Sequence, residues 1–160
     1  MDKQTTSPSP APPWLAYLAQ GGTMKELRNI DQSQLDAIYQ VAYGRFNSGL
    51  FNESLILFRH LCLLDHTHYG YFLGLGMVQF ELQQFAQAAA TLSHAEKLDA
   101  EDPRASVMMA KCFIELKKRP LVANALSEAI SRAGRSERWH KELEQARRLM
   151  NYVGEHSGRK

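Results

Sequence analysis

Apolar residues recur at spacings of three and four along most of this chain. Leu35, Ile38, Tyr39, Ala42, Tyr43 and Phe46 form one such stripe, which is the period of a helix and not of a strand. Prolines mark where helices are excluded. Four of the six lie before Trp14, Pro103 and Pro120 are the others, and none falls between Trp14 and Asp102. Proline lacks an N–H and clashes with the preceding turn, so a long proline-free stretch rich in Ala, Leu and Gln favours helix. The pattern predicts an all-α chain. Residues 1–12, polar and proline-rich, read as a disordered arm, and residues 155–160 as a frayed tail.

The pattern also repeats. A shift of 34 residues carries Ala42 to Gly76 and Ala110, Val41 to Leu75 and Met109, and Phe58 to Leu92 and Leu126. It carries Leu61 to Ala95 and Ala129, Phe51 to Phe85, Leu64 to Leu98, and Asp65 to Asp99. Small residues fall on small ones and large apolar residues on large ones. This period is that of the tetratricopeptide repeat, a pair of antiparallel helices A and B. The small residue at 42, 76 and 110 lets helix A approach helix B, opposite Ser54, Ala88 and Val122. The chemistry predicts three repeats at about 35–68, 69–102 and 103–136, stacked in a right-handed superhelix. Asn47-Ser48-Gly49 and Gln83-Gln84 read as turns within the first two. The third departs: Lys117-Lys118-Arg119-Pro120 fills its turn, and Arg119 stands where the others have Phe51 and Phe85. Pro120 is tolerable there as the first residue of a helix.

Stacked repeats need covered ends. Residues 13–34 read as an N-terminal helical segment, interrupted at Gly21-Gly22-Thr23. Asp31 is the expected N-cap of the first repeat helix, with Gln34 as its capping-box partner. Residues 137–154 read as an amphipathic capping helix with Trp139, Leu143, Ala146, Leu149, Met150 and Val153 on its apolar face. From Arg132 onward there are eight Lys/Arg against four Asp/Glu, a solvated face or a patch for an acidic partner.

Composition narrows the function. The 160 residues are 44% apolar and 22% charged, with a net charge of +2, which gives no broad cationic field for nucleic acid or membrane. Cys62 and Cys112 are too few for a disulfide framework and read as buried thiols. No secretory signal, membrane-span-length apolar run, phosphate loop, nucleophile elbow or zinc-binding motif appears. His60, Cys62, His66 and His68 form the one metal-like cluster, without a second ligand pair, and read as structural. The expectation is a protein that is not an enzyme and takes no metal or cofactor.

Helix A positions off the B-facing side should line a concave groove. These are Tyr39, Tyr43, Phe46 and Asn47, then Leu73, Met77, Phe80 and Glu81, then Val107, Lys111, Ile114 and Glu115. Aromatic rings offer large contact area at low entropy cost, so the groove suits an extended peptide carrying Leu or Pro. Tyr39 and Tyr43 stand where adaptors that clamp the C-terminal carboxylate of heat-shock chaperones need Lys and Asn, which argues against a carboxylate clamp. The apolar cluster of Trp14, Leu15 and Leu18 ahead of the Gly-Gly break suggests self-association.

Leu61-Cys62-Leu63-Leu64-Asp65-His66, followed by Tyr71-Phe72-Leu73-Gly74-Leu75-Gly76, resembles the tetratricopeptide chaperones of type III secretion translocators. Gly21-Gly22-Thr23 and the spacing of Leu35, Tyr39, Phe46 and Gly49 are similar too. The likeness covers about residues 14–130 and weakens in the third repeat. It implies a bacterial cytoplasmic chaperone that binds hydrophobic translocator proteins before export. It implies that a segment with a Pro-x-Leu-x-x-Pro-like pattern lies in the groove. Tyr39, Tyr43 and Phe46 match the aromatic groove positions by residue type; Leu73 and Phe80 match by position only. The family often forms homodimers through its N-terminal helix, here Trp14, Leu15 and Leu18, and some members act with a transcription activator. The competing expectation is a tetratricopeptide adaptor for another secretion component, such as a needle subunit, which would bind an amphipathic helix.

Overall fold

A computed structural model of the chain describes residues 12–155. The expected arm and tail lie outside the described residues, apart from Pro12 and Glu155. Among the described residues the secondary structure is helical throughout. Two short helices, α1 (Pro13–Ala19) and α2 (Met24–Leu27), precede three hairpins. These are α3 (Gln32–Asn47) with α4 (Phe51–Leu64), α5 (Tyr69–Glu81) with α6 (Phe85–Leu98), and α7 (Arg104–Glu115) with α8 (Arg119–Ala133). A 3-10 turn over Glu137–Trp139 leads into α9 (His140–Glu155). Each helix packs on the next from α3 onward. The odd-numbered helices α3, α5, α7 and α9 also touch one another in sequence, forming one continuous wall.

The 34-residue period is visible as packing. Ala42, Gly76 and Ala110 are buried, as are Ser54, Ala88 and Val122 opposite them and Phe58, Leu92 and Leu126 between them. A Cβ on Gly76 would lie 2.5 Å from Leu92 Cγ, so the approach of α5 to α6 requires glycine there. Ser54 is polar at a buried site because its Oγ donates to the carbonyl of Ala42, at 2.9 Å. This bond satisfies both groups and ties α4 to α3.

The turns repeat with the same period. Gly49, Gln83 and Lys117 all have positive φ, at 74°, 60° and 56°. In each hairpin this residue donates its N–H three residues back, and the next residue donates five residues back: Gly49 to Phe46 and Leu50 to Arg45, Gln83 to Phe80 and Gln84 to Gln79, Lys117 to Ile114 and Lys118 to Phe113. That bond pair closes a helix C-terminus in the Schellman arrangement. Pro120 is the second residue of α8, not the first. It is harmless there because the first N–H groups of a helix have no intrahelical acceptor.

The N-terminal break is built around Glu26. Its carboxylate accepts from the Thr23 N–H at 2.8 Å, from Thr23 Oγ1 at 2.7 Å and from Tyr17 Oη at 2.8 Å. Gly22 lies against the Tyr17 ring with no room for a Cβ. At α3, Gln34 Oε1 accepts from the Asp31 N–H at 3.1 Å. The Lys25 ammonium pairs with the nearly buried Asp65 carboxylate at 2.5 Å, which fastens α2 to the end of α4. Helix α1 itself buries no residue.

Candidate functional site: an aromatic groove

Helix α3 places Tyr39, Tyr43 and Phe46 on one stripe, and all three are half-buried. Their lower edges rest on the core. Tyr43 meets Phe58 edge-on with ring centroids 5.4 Å apart, and Tyr39 meets Phe58 at 5.9 Å. Tyr39 and Tyr43 touch each other at 4.9 Å, and Tyr39 meets Tyr71 at 5.5 Å. His68 stacks on Tyr71 at 3.9 Å. Such geometries suit the quadrupoles of the rings. Burial, then the hydroxyl of Tyr43, pushes the Tyr39 phenol well above its ordinary range, so it stays a neutral donor.

The other expected groove residues fall into three groups. Met77, Phe80, Lys111 and Ile114 are half-buried, and Asn47, Glu81 and Glu115 are exposed. Leu73 and Val107 need correction as open groove residues, because only 3% and 2% of their surfaces are exposed. Helices α5 and α7 have neighbours on both flanks, so their buried faces are wider than that of α3. Leu73 and Val107 form the floor of a cavity of about 230 Å³ instead of its walls. Tyr43, Met77, Arg104, Met108, Glu142 and Gln145 also line that cavity.

Arg104, Glu142 and Gln145 were not among the sequence expectations. Arg104 is held in place by Asp102, a nearly buried carboxylate that accepts from Nε at 3.0 Å and from Nη2 at 2.6 Å. Its guanidinium lies 5.4 Å from the Trp139 ring and 5.8 Å from that of Tyr69. Helix α9 is not only a cap; it supplies Glu142 and Gln145 as a further wall. The signal was present in the repeat, since continuing Tyr43, Met77 and Lys111 by another 34 residues reaches Gln145.

Trp14 and Leu15 are 52% and 45% exposed, and Leu18 is half-buried. Burial pushes the Cys62 thiol up to about 12 and the Cys112 thiol up to about 11, so both stay protonated at neutral pH. Among the described residues, no group of three or more His, Cys, Asp and Glu is placed to hold a metal ion. No helix among them is long and apolar enough to cross a membrane.

Among curated proteins, the chain is 30% identical over 100 residues to low calcium response locus protein H of Yersinia pestis. It is 30% identical over 101 residues to chaperone protein SicA of Salmonella typhimurium. These matches cover 62% and 63% of this chain and 60% and 61% of those proteins. The chain thus matches less than two thirds of the length of these relatives. Among solved structures, a type III secretion complex from Aeromonas hydrophila superposes with a TM-score of 0.89 at 25% identity, covering 94% of this chain and all of that one. The Yersinia enterocolitica type III secretion chaperone SycD, in complex with a peptide of the translocator YopD, superposes with a TM-score of 0.76 at 21% identity. That match covers 80% of this chain and 98% of SycD. The chain resembles the translocator chaperones of type III secretion. Its three-hairpin fold is theirs, and the relatives named for a role are chaperones. No protein-family model matches the chain.

Proposed function

We propose that this protein is a chaperone of a type III secretion system. It holds an extended segment of a hydrophobic translocator against the wall formed by α3, α5, α7 and α9. The observation that carries this reading is the half-buried stripe of Tyr39, Tyr43 and Phe46: the two tyrosine rings are anchored on Phe58, Phe46 packs on Tyr43 and Phe51, and all three keep part of their surface exposed. Rings fixed in this way offer contact area without losing rotamer freedom on binding. Phe80 and Met77 extend the apolar surface, and Lys111 and Asn47 add polar contacts at its edges. The protein works in the bacterial cytoplasm by mass action, without catalysis: a bound segment is withheld from aggregation in proportion to its occupancy. Two copies associate through Trp14, Leu15 and Leu18, on a helix of which no residue is buried among the described residues.

The test is Tyr43→Ala, measured for affinity towards a translocator peptide with the Pro-x-Leu-x-x-Pro pattern and for melting temperature. Loss of a groove anchor costs about 2 kcal/mol of binding, roughly 30-fold in affinity. Some stability is lost as well, because the ring packs on Phe58. Unchanged affinity in a folded Tyr43→Ala protein refutes the groove assignment.

A further inference from the structure

The 230 Å³ cavity beside Tyr43 holds one charge that no described residue balances. Two ionic side chains line it, Arg104 and Glu142. Arg104 is already matched, because the nearly buried Asp102 carboxylate accepts from its Nε at 3.0 Å and from its Nη2 at 2.6 Å. Glu142 is half-buried on α9 and makes no hydrogen bond or ion pair among the described residues. Its neighbour Glu144, by contrast, pairs with Arg148 at 3.2 Å. Lys111, a turn beyond Val107 on α7, is not among the residues lining the cavity and does not pair with Glu142. With Asp102 counted, the cavity carries one net negative charge. Its floor is the apolar pair Leu73 and Val107, and Met77 and Met108 add thioether walls.

We propose that this cavity is the specificity subsite of the groove and that it takes a lysine or arginine side chain of the bound segment. The inference rests on the groove reading: Tyr43 belongs both to the aromatic stripe and to the cavity, so a segment lying on the stripe reaches both. The stem of a basic side chain is a run of methylenes, which suits an apolar floor and unbranched, adaptable methionine walls. Its head suits Glu142, whose carboxylate is partly removed from water and has its acceptors unused; an ion pair there is screened less than one on an open surface. A purely apolar side chain would fill the floor but leave Glu142 unpaired and further desolvated, which costs binding. An acidic side chain would meet Glu142 as a like charge and find Nε and Nη2 of Arg104 engaged by Asp102.

The experiment is isothermal titration calorimetry with the full chain and three peptides. All share the core Ala-Pro-Ala-Leu-Ala-Ala-Pro-Ala and carry two lysines, two norleucines or two glutamates at each end; norleucine keeps the lysine stem without its charge. The lysine peptide should bind about fivefold more tightly than the norleucine peptide, as a partly buried ion pair gives, and the glutamate peptide should bind most weakly. Glu142→Gln should bring the lysine peptide down to the norleucine peptide, and Glu142→Lys should reverse the order of the lysine and glutamate peptides. Neither should change the melting temperature much, since Glu142 has no partner among the described residues. Glu144→Gln, the same charge change on the same helix but outside the cavity, should leave all three affinities within about twofold. Tyr43→Ala should weaken all three peptides alike. If no peptide binds the parent, or if a folded Tyr43→Ala protein binds all three as the parent does, the groove reading falls and the subsite with it. The subsite alone is overturned, and the groove stands, if the peptides bind and respond to Tyr43→Ala but the lysine and norleucine peptides bind the parent equally. It is overturned in the same way if the lysine preference survives Glu142→Gln, or if Glu144→Gln removes as much of it as Glu142→Gln does.

Discussion

Gly74→Ala and Gly44→Ala are the same chemical change in two helices, and the packing sends them in opposite directions. Glycine in a helix interior is worse than alanine by about 0.8–1 kcal/mol, from backbone entropy alone. Gly44 sits within α3, exposed, with no heavy atom within 4 Å of the position a Cβ would take. Gly44→Ala should therefore realise that gain. At Gly74, a Cβ would lie 2.2 Å from Phe58 Cε1 and 2.4 Å from Cζ. The Phe58 ring is fully buried and must shift as a unit. Overfilling a packed core costs about 1–3 kcal/mol, and moving a buried ring belongs in the upper half of that range. Set against the propensity gain, Gly74→Ala should lose about 1–2 kcal/mol. In a domain of this size, 1 kcal/mol moves the melting temperature by about 2–4 °C. Thermal melts followed by far-ultraviolet circular dichroism should show Gly44→Ala a few degrees above the parent and Gly74→Ala a few degrees below it. A Gly74→Ala protein as stable as Gly44→Ala would refute the close approach of α5 to the Phe58 ring.

Three further outcomes follow from other parts of the molecule. Gln83 holds a left-handed conformation that glycine adopts without strain, so Gln83→Gly should raise stability by about 0.5–1 kcal/mol in denaturant titrations; a loss would mean that the side chain does more than turn the chain. Burial pushes the Asp65 carboxyl up, but the Lys25 ammonium and the Thr67 hydroxyl and N–H outweigh it and leave the pKa below its ordinary 3.8. A depressed carboxyl contributes stability above its unfolded value and loses it as the pH falls through the folded value. Melting temperatures of the parent should thus drop more steeply below about pH 4 than those of Asp65→Asn, and parallel acid limbs would contradict the pairing. Removing residues 1–20 should shift sedimentation towards monomer with helix content per residue unchanged in the repeats; identical sedimentation would place self-association elsewhere or exclude it.

Much of the fold was legible because the repeat is a local rule applied three times. Positions 42, 76 and 110 must be small, and 58, 92 and 126 must fill the space between helices; a shift of 34 residues exposes both constraints without coordinates. The aromatic stripe on α3 was legible for the same reason. Less legible was the extent to which each odd-numbered helix is covered. Periodicity places a residue on a face, but burial of that face depends on how many neighbours it has. Leu73 and Val107 share a face with exposed groove positions, yet lie beneath them because α5 and α7 are flanked on two sides. Arg104 was missed because its role depends on Asp102 and Trp139, which come from a turn and from a segment 35 residues away. Gln145 was missed because the period was read as ending with the third hairpin, whereas the wall continues into α9.

The contact between Phe58 and Gly74 also bears on the groove. Phe58 is the inter-repeat residue of the first hairpin, and the same ring also meets Tyr39 and Tyr43 edge-on. A tightly packed interior moves by discrete repacking and not by smooth yielding. A ring displaced by a methyl group at position 74 must therefore push against the two tyrosines that form the floor of the proposed peptide site. Peptide affinity and core stability are coupled through one side chain, and this coupling gives the aromatic groove a property that a groove of isolated surface residues would lack. Gly74→Ala should weaken peptide binding although residue 74 is buried and touches no groove solvent, whereas Gly44→Ala, on the groove-lining helix itself, should leave binding alone. Fluorescence anisotropy with a labelled translocator peptide, at a temperature where all three proteins are folded, separates the two cases. Equal affinities for the parent and Gly74→Ala would show that the Phe58 ring can accommodate the methyl group without disturbing Tyr39 and Tyr43, and would uncouple groove from core.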